Sequence, residues 1–439
     1  MKSNSVILHT ENKSLDLKSQ IPKYRLLIGF CLLLIGVGLI SETPLELWQG
    51  TLRILASPSN LITDYFEVGN FGSAFVNSGV LTLTSVLLAK ARGATVSGPL
   101  IAAFFTVSGF SFFGKNFYNS IPIFVGVYLY SLFVKKPYSQ HILVALFGSA
   151  ISPVISYLTF GTNLPLYLGI PLGYSIGILI GFILPPLAAQ FLLFHQGFSL
   201  YNIGFTAGIV GMIFTSLYRL TGNEISTVSI LSTTYHQEST IFLLVLFSII
   251  FVLGFYFNKK SFKGLKVISE SSGTLVTDFV AIAGFGASLI NMALLGFMLL
   301  AFVYLMGGIL SGPIVGGIFT VIGFGAFGNH LKNSIPVLIG VVLAATFAPS
   351  ETYTTFSIIL TAIFGTTLAP ISGYYGPLFG ILAGYIHMTL VPNIGYLHGG
   401  LNLYNNGFSG GFVAAFMVPL LDTITKGRRG KKNARKRKV

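Results

Sequence analysis

The sequence is poor in charge. Of its 439 residues, 9% are Asp, Glu, Lys or Arg, while 53% are hydrophobic and the mean hydropathy is +0.80. A water-soluble domain carries about 25% charged residues, so this composition excludes a soluble enzyme, and the apolar majority excludes a disordered chain. One cysteine, Cys31, sits inside the first apolar run, which rules out a disulfide scaffold and a cysteine-built zinc site. Tryptophan is nearly absent too; Trp48, beside Glu42 and Glu46, reads as an interfacial anchor. What the chain has in quantity is long apolar runs. The reading is an all-α polytopic membrane protein.

Acidic residues are the scarcer sign: Lys+Arg 26 against Asp+Glu 12 leaves a net charge of +14. Nine of the basic residues lie in the last fourteen positions, KGRRGKKNARKRKV, and five precede the first apolar run. Basic clusters abutting a membrane helix set topology and meet anionic lipid, so membrane lipid, not nucleic acid, is the expected partner of this tail. The run Leu26 to Ile40 is followed by Ser41-Glu42-Thr43-Pro44 without a small-x-small cleavage site, and reads as a retained first helix.

The chain contains itself twice. At a shift of 214, SGPLIAAFFTVSGFSFFGKNFYNSIPIFVG (97–126) falls on SGPIVGGIFTVIGFGAFGNHLKNSIPVLIG (311–340), identical at 15 of 30 positions. At a shift of 203, HQGFSLYNIGFTAG (195–208) falls on HGGLNLYNNGFSGG (398–411), identical at 8 of 14. Thr63-Asp64 and Thr277-Asp278, and Asn77 and Asn291, pair as well. Chance between Gly- and Phe-rich runs does not match Asn, His, Ser and Pro in order. The organisation is therefore a basic tail (1–25), a leading helix (26–41), repeat 1 (64–218), a linker helix (240–257), repeat 2 (278–424) and a second basic tail (425–439).

Fourteen apolar segments follow: the leading helix, six per repeat and the linker. Residues 97–113 and 311–328 are short enough to be re-entrant. With both termini in the cytoplasm of a cell membrane, the loops at Lys90/Arg92, Lys135-Lys136 and Lys259–Lys266 all fall inside, and the uncharged counterparts of the first two fall outside. That makes the repeats antiparallel, the inverted plan of many transporters. The alternative is a parallel duplication with a linker that does not cross.

Few carboxylates lie within the spans. Asp64 and Asp278 open the two repeats near the interface. The chain thus lacks the acid–base pairs and metal clusters an enzyme needs, and no phosphate-cradling loop followed by Lys occurs; no catalytic residue, cofactor or metal is expected. Paired uncharged residues remain. Ser97-Gly98-Pro99 and Ser311-Gly312-Pro313 have the grammar of helix starts, and so do Asn119-Ser120-Ile121-Pro122 and Asn333-Ser334-Ile335-Pro336. Such ends within a membrane bind anions or polarised carbonyls; the competing reading is an ordinary loop. His195, Tyr201 and Asn202 recur as His398, Tyr404 and Asn405, and line either a solute path or an interfacial helix end. Asn77 and Asn291, in mid-span, either join helices or touch solute.

The overall layout resembles an uncharacterised family of bacterial multi-pass membrane proteins, a domain of unknown function with an internal duplication. Locally, Gly114-Lys115-Asn116-Phe117-Tyr118-Asn119 with Val125-Gly126 resembles the Gly-x-x-Gly-Tyr-Asn…Val-Gly motif of urea transporters, which implies a narrow path for a small polar solute. The chain departs from that motif at Asn116-Phe117, at Pro122 and at Lys332, and lacks the accompanying Leu-Pro…Thr-x-Pro-Phe element.

Two functions fit: a transporter or channel for a small neutral or anionic solute, with its path between the repeats, or a membrane scaffold docking factors through the basic tail. An oligomer is compatible with either. Topology is testable first. In a Cys31→Ala background, single cysteines at Lys136 and Glu351 should react with an impermeant thiol reagent from opposite sides of the membrane. Same-side labelling would contradict the inverted arrangement.

Overall fold

A computed structural model of the chain describes residues 2–60, 62–225, 228–349 and 353–436, with side chains described from 19 to 424 within those bounds. Glu351 and the side chains of the C-terminal basic tail lie outside them.

Fourteen membrane-level segments are present among the described residues, in two sets of seven. The first set is α1 (Ser19–Ser41), α2 (Phe71–Ala91), α3 (Gly98–Phe110), α4 (Phe117–Phe133), α5 (Ile142–Ile151 and Pro153–Gly161, bent by 45°), α6 (Leu166–Phe194) and α7 (Asn202–Leu220). The second is α8 (His236–Phe257), α9 (Phe285–Leu305), α10 (Gly312–Phe324), α11 (Leu331–Thr346), α12 (Thr355–Tyr375), α13 (Pro377–His398) and α14 (Asn405–Ile424). Nine are long enough to cross a membrane, α5 is a broken span, and α3, α4, α10 and α11 are shorter. The only strands among the described residues are a parallel pair, Ile62–Thr63 with Ser229–Ile230.

The leading and linker helices are equivalent. Gly38 of α1 packs on Gly72 and Val76 of α2, and Gly79 of α2 returns onto Cys31 and Ile35. In the same manner Gly254 of α8 packs on Ile290 of α9, and Gly286 packs back on Asn258. Each repeat is thus one helix larger than the internal identity marks, because the first helix of each unit has diverged in sequence while keeping its place.

Equivalent helices run antiparallel. Along α3 and α10, Gly98 faces Ala326, Gly109 faces Gly316, and Phe112 faces Gly312; one number falls as the other rises. Along α1 and α8, Pro22–Phe30 lies beside Leu253 and Phe257, while Val37 and Ser41 lie beside Glu238 and Ile241. The two units are therefore inverted. An odd number of segments per unit is what turns the second unit over.

At the centre α3 and α10 cross. Every residue of both is buried. Their thirteen residues rise about 20 Å, short of a hydrocarbon core of about 30 Å, so both ends stop inside the protein. The crossing is made by glycine: a methyl on Gly109 or on Gly316 would collide with the other's carbonyl oxygen. Phe30 stacks on Phe105 at 4.7 Å, and Phe105 lies 6.2 Å from Phe319. A solute path between the repeats cannot run through this contact, because close backbone approach and phenyl rings seal it. Gly109→Ala and Gly316→Ala should each lower stability by about 1–3 kcal/mol, read as a lower unfolding temperature in detergent. Gly36→Ala, with nothing within 4 Å of the new carbon, should be neutral.

Candidate functional site

The aspartates that open the repeats cross over. Asp64 Oδ2 accepts from Gly312 N–H (3.0 Å), at the first turn of α10, and Asp278 Oδ1 accepts from Gly98 N–H (2.9 Å), at the first turn of α3. Each unit thereby caps the central helix of the other. Asp64 also accepts from Phe66 N–H (2.9 Å) and Ser232 N–H (3.0 Å), and Asp278 from Val280 N–H (2.9 Å) and Ala281 N–H (3.2 Å). Asp64 is fully buried within the connector between α1 and α2. The Ser-Gly-Pro helix starts are real, and Ser97 Oγ accepts from Leu100 N–H (3.4 Å). They are not open anion sites, because endogenous carboxylates already hold the amides that an anion would use. Ser311 Oγ, buried, has no hydrogen-bond partner.

The other helix starts lie earlier than the Asn-Ser-x-Pro motif placed them. α4 begins at Phe117, capped by Asn116, and α11 at Leu331, capped by His330. Asn119 and Asn333 complete these caps from the third helical position: their Oδ1 atoms accept from the backbone N–H of Asn116 (3.0 Å) and His330 (2.9 Å). Their Nδ2 groups donate to the carbonyls of Gly114 (3.1 Å) and Gly328 (2.9 Å), glycines in left-handed turns. Asn77 Nδ2 donates to Ser111 O (2.8 Å) and Lys115 O (2.9 Å), and Asn291 Nδ2 to Gly325 O (2.7 Å) and Asn329 O (2.8 Å). All four amides join helices by closing the ends of α3 and α10.

The histidine motif closes on itself. His195 Nε2 bonds Asn202 Oδ1 at 3.0 Å and His398 Nε2 bonds Asn405 Oδ1 at 2.9 Å. No shared helix face brings them together. In the first unit the chain turns back through Gln196 and Gly197, both at positive φ, and Asn202 opens α7. Asn202 Nδ2 donates to Ala188 O (2.9 Å), fastening α7 to α6. The tyrosines between them reach further. Tyr201 and Tyr404, one from each unit, are buried with ring centres 5.1 Å apart. Their hydroxyls lie near Thr366 and Thr106 respectively, without making a well-formed hydrogen bond. Both rings and Asn202 line a cavity of about 160 Å³, completed by Phe147, Phe324, Phe327 and Leu275.

Both units carry a 3-10 turn at the same place in a span, where α5 bends by 45° and α12 remains one span. Ser149–Ile151 within α5 and Thr366–Leu368 within α12 are 3-10 turns. Each pairs with the opposite unit: Leu403 N–H donates to Ala150 O, and Leu200 N–H to Thr367 O, both at 3.0 Å. The readable signal was Phe147-Gly148-Ser149…Pro153 against Phe364-Gly365-Thr366…Pro370, a third repeated block at a shift of 217. A residue the sequence reading passed over stands at the first break. Lys115 is fully buried, and its Nζ donates to Ser149 Oγ. The sole ion pair among the described side chains is Lys266–Glu270, at the surface. The described residues bring together no group of three or more His, Cys, Asp or Glu that could hold a metal.

The model of an uncharacterised family, protein of unknown function (DUF1576), matches residues 43–220 and 257–423. The chain belongs to this family. The two matched segments cover α2–α7 and α9–α14, so the match falls once on each inverted unit and leaves out the first helix of each. No curated protein and no solved structure matches the chain, and the local likeness to urea transporters finds no support.

Asp64, in the connector between α1 and α2, is pushed up from 3.8 to about 6 by burial, against the pull of its three backbone donors. A carboxyl whose folded value lies above its unfolded one takes up a proton on folding. Its contribution to stability is therefore complete below 3.8 and is lost as pH rises through about 6. Asp64→Asn should flatten the unfolding temperature across that window; an unchanged slope would contradict the assignment.

Proposed function

We propose that the protein is a transporter of a small neutral or anionic solute in the cell membrane, and not an enzyme. The observation that carries this reading is the cavity at Tyr201, Asn202 and Tyr404. It lies between the inverted units, beside the broken span α5, and is lined by Asn202 and by two tyrosines whose buried hydroxyls make no good hydrogen bond. Irregular backbone at membrane depth is tolerated where protein or a cavity surrounds it, and inverted units meeting at broken helices are a transporter's usual site. A buried hydroxyl left unpaired costs about 1–3 kcal/mol, a cost that a polar solute relieves on binding. At about 30 Å³ per water, the cavity holds about five water molecules, which fixes the solute as small.

The solute path runs through this cavity and around α3 and α10, whose contact is sealed. Both termini lie in the cytoplasm, where the basic tail meets anionic lipid. His195, His398 and Asn405 act as positioning residues, holding the chain turns that carry the tyrosines.

Purified protein in liposomes should pass at least one member of a panel of small neutral solutes and monocarboxylates. Tyr201→Phe and Tyr404→Phe should each reduce that flux about tenfold while raising, not lowering, the unfolding temperature, since each removes an unpaired buried hydroxyl. No flux for any member, together with loss of membrane recruitment of cytoplasmic factors on deleting residues 426–439, would establish the scaffold instead.

A further inference from the structure

The first helix of each unit packs on the second, α1 on α2 and α8 on α9. Between α1 and α8 runs a groove in two halves, with Leu33 and Leu246 lining both. The half beside the start of α1 has a volume of about 460 Å³ and apolar walls, among them Leu26, Phe30, Ile250 and Leu253. Ile101 and Phe105 of α3 line it too, so it reaches the buried central helix. Gly29 and Ile249, which also line it, are exposed, so the groove opens toward the membrane. Gly29 keeps it open: nothing lies within 4 Å of the place a Cβ would take.

Along α1 this half-groove extends from Pro22 to Leu33. At 1.5 Å per residue that is about 16 Å, half of a hydrocarbon core of about 30 Å, and so the depth of one leaflet. Its end carries positive charge. Arg25 lines the groove and is exposed, and Lys23 Nζ lies 5.8 Å from the ring centre of Phe285, another lining residue. Among the described residues no carboxylate pairs with either. The other half, of about 500 Å³, carries Glu42 and Glu238 at its end instead. One apolar groove thus has two cations at one headgroup level and two carboxylates at the other.

We infer that the half-groove at Arg25 binds one anionic phospholipid from the leaflet on the N-terminal side of α1, with an acyl chain against Phe30, Phe105 and Ile250 and the phosphate on Arg25 and Lys23. The apolar walls hold the chain by burial. A guanidinium offers a phosphate two parallel donors, and basic residues at headgroup level favour anionic lipid. Glu42 and Glu238 repel the same headgroup, which confines the site to one leaflet. The lipid is more than one of a surrounding belt, because its chain reaches α3 and bears on the Phe30–Phe105 stack. A second copy of the chain fits the groove less well: a two-fold contact through it would bring Arg25 and Lys23 of both copies together with no carboxylate between them. The site does not rest on the transport reading.

The test is lipid binding to the purified, delipidated full chain in detergent, counted by native mass spectrometry, with dioleoyl phosphatidylglycerol and dioleoyl phosphatidylcholine as probes. Wild-type protein should hold the first phosphatidylglycerol about thirtyfold more tightly than phosphatidylcholine. Lys23→Gln combined with Arg25→Gln should bring that affinity to the phosphatidylcholine value. The C-terminal basic tail also attracts anionic lipid, so two variants that keep the tail isolate the groove. Gly29→Trp fills it, whereas Gly36→Trp stands on α1 outside both halves, with surroundings as open as those of Gly29. Gly29→Trp should retain one phosphatidylglycerol fewer per chain, and Gly36→Trp should match the wild type. Equal affinity of the wild type for both lipids, or equal retention by the two tryptophan variants, would overturn the site. So would a wild-type dimer that Gly29→Trp dissociates, since a second copy would then occupy the groove.

Discussion

Two helices too short for the membrane organise this protein. α3 and α10 end inside the bundle, and each leaves free N–H groups at one end and free carbonyls at the other. In hydrocarbon those groups have no water to turn to. The exchanged aspartates take the N-termini, and the mid-span asparagines take the C-termini. The turns that follow are tied by Asn119 and Asn333. The helices can pack so closely because Gly109 and Gly316 bring backbone against backbone. Burial of the pair and satisfaction of its ends are one constraint, met twice by the same residues in inverted copies.

The symmetry of the two units is imperfect at a few buried polar positions. Symmetric positions such as Asn77 and Asn291 are consumed by architecture, since their amides already answer to backbone, and the two His–Asn pairs fasten chain turns while leaving Nδ1 of each buried histidine without a partner. Lys115 against Asn329 is different. The surrounding geometry is similar, including the hydroxyl that turns its proton to the carbonyl three residues back, yet one side carries an amine and the other an amide. A protein built from two copies of one unit shows specialisation most plainly at such a substitution. Tyr201, which lines the interface cavity beside Tyr404, is where the two copies have a common surface.

Much of the fold was legible in the chain. All fourteen segments appear as helices near their expected positions, and the matched blocks locate the duplication. The extent of the unit was less legible, because α1 and α8 share a packing role with little identity; helix–helix contact in a membrane asks only for small or apolar residues at intervals. The site was legible in part. The His-Tyr-Asn motif does mark the interface, but its histidines and asparagines turned out to be fasteners. Lys115 was overlooked because a lysine between two apolar runs looks like a loop residue until the loop is seen to be buried.

The sequence by itself determined the membrane character and the duplication, since hydropathy and identity at fixed shifts are properties of the chain alone, while the basic loops pointed to an inversion that the antiparallel packing of α3 on α10 decided. Only the tertiary structure decided which polar residues are spent and which are free. Asp64 meets Gly312 across 248 positions, and Asn329 meets Thr366 across a turn between helices. Whether a buried oxygen finds a donor depends on what the fold brings within 3 Å or so of it, and no local pattern in the chain records that.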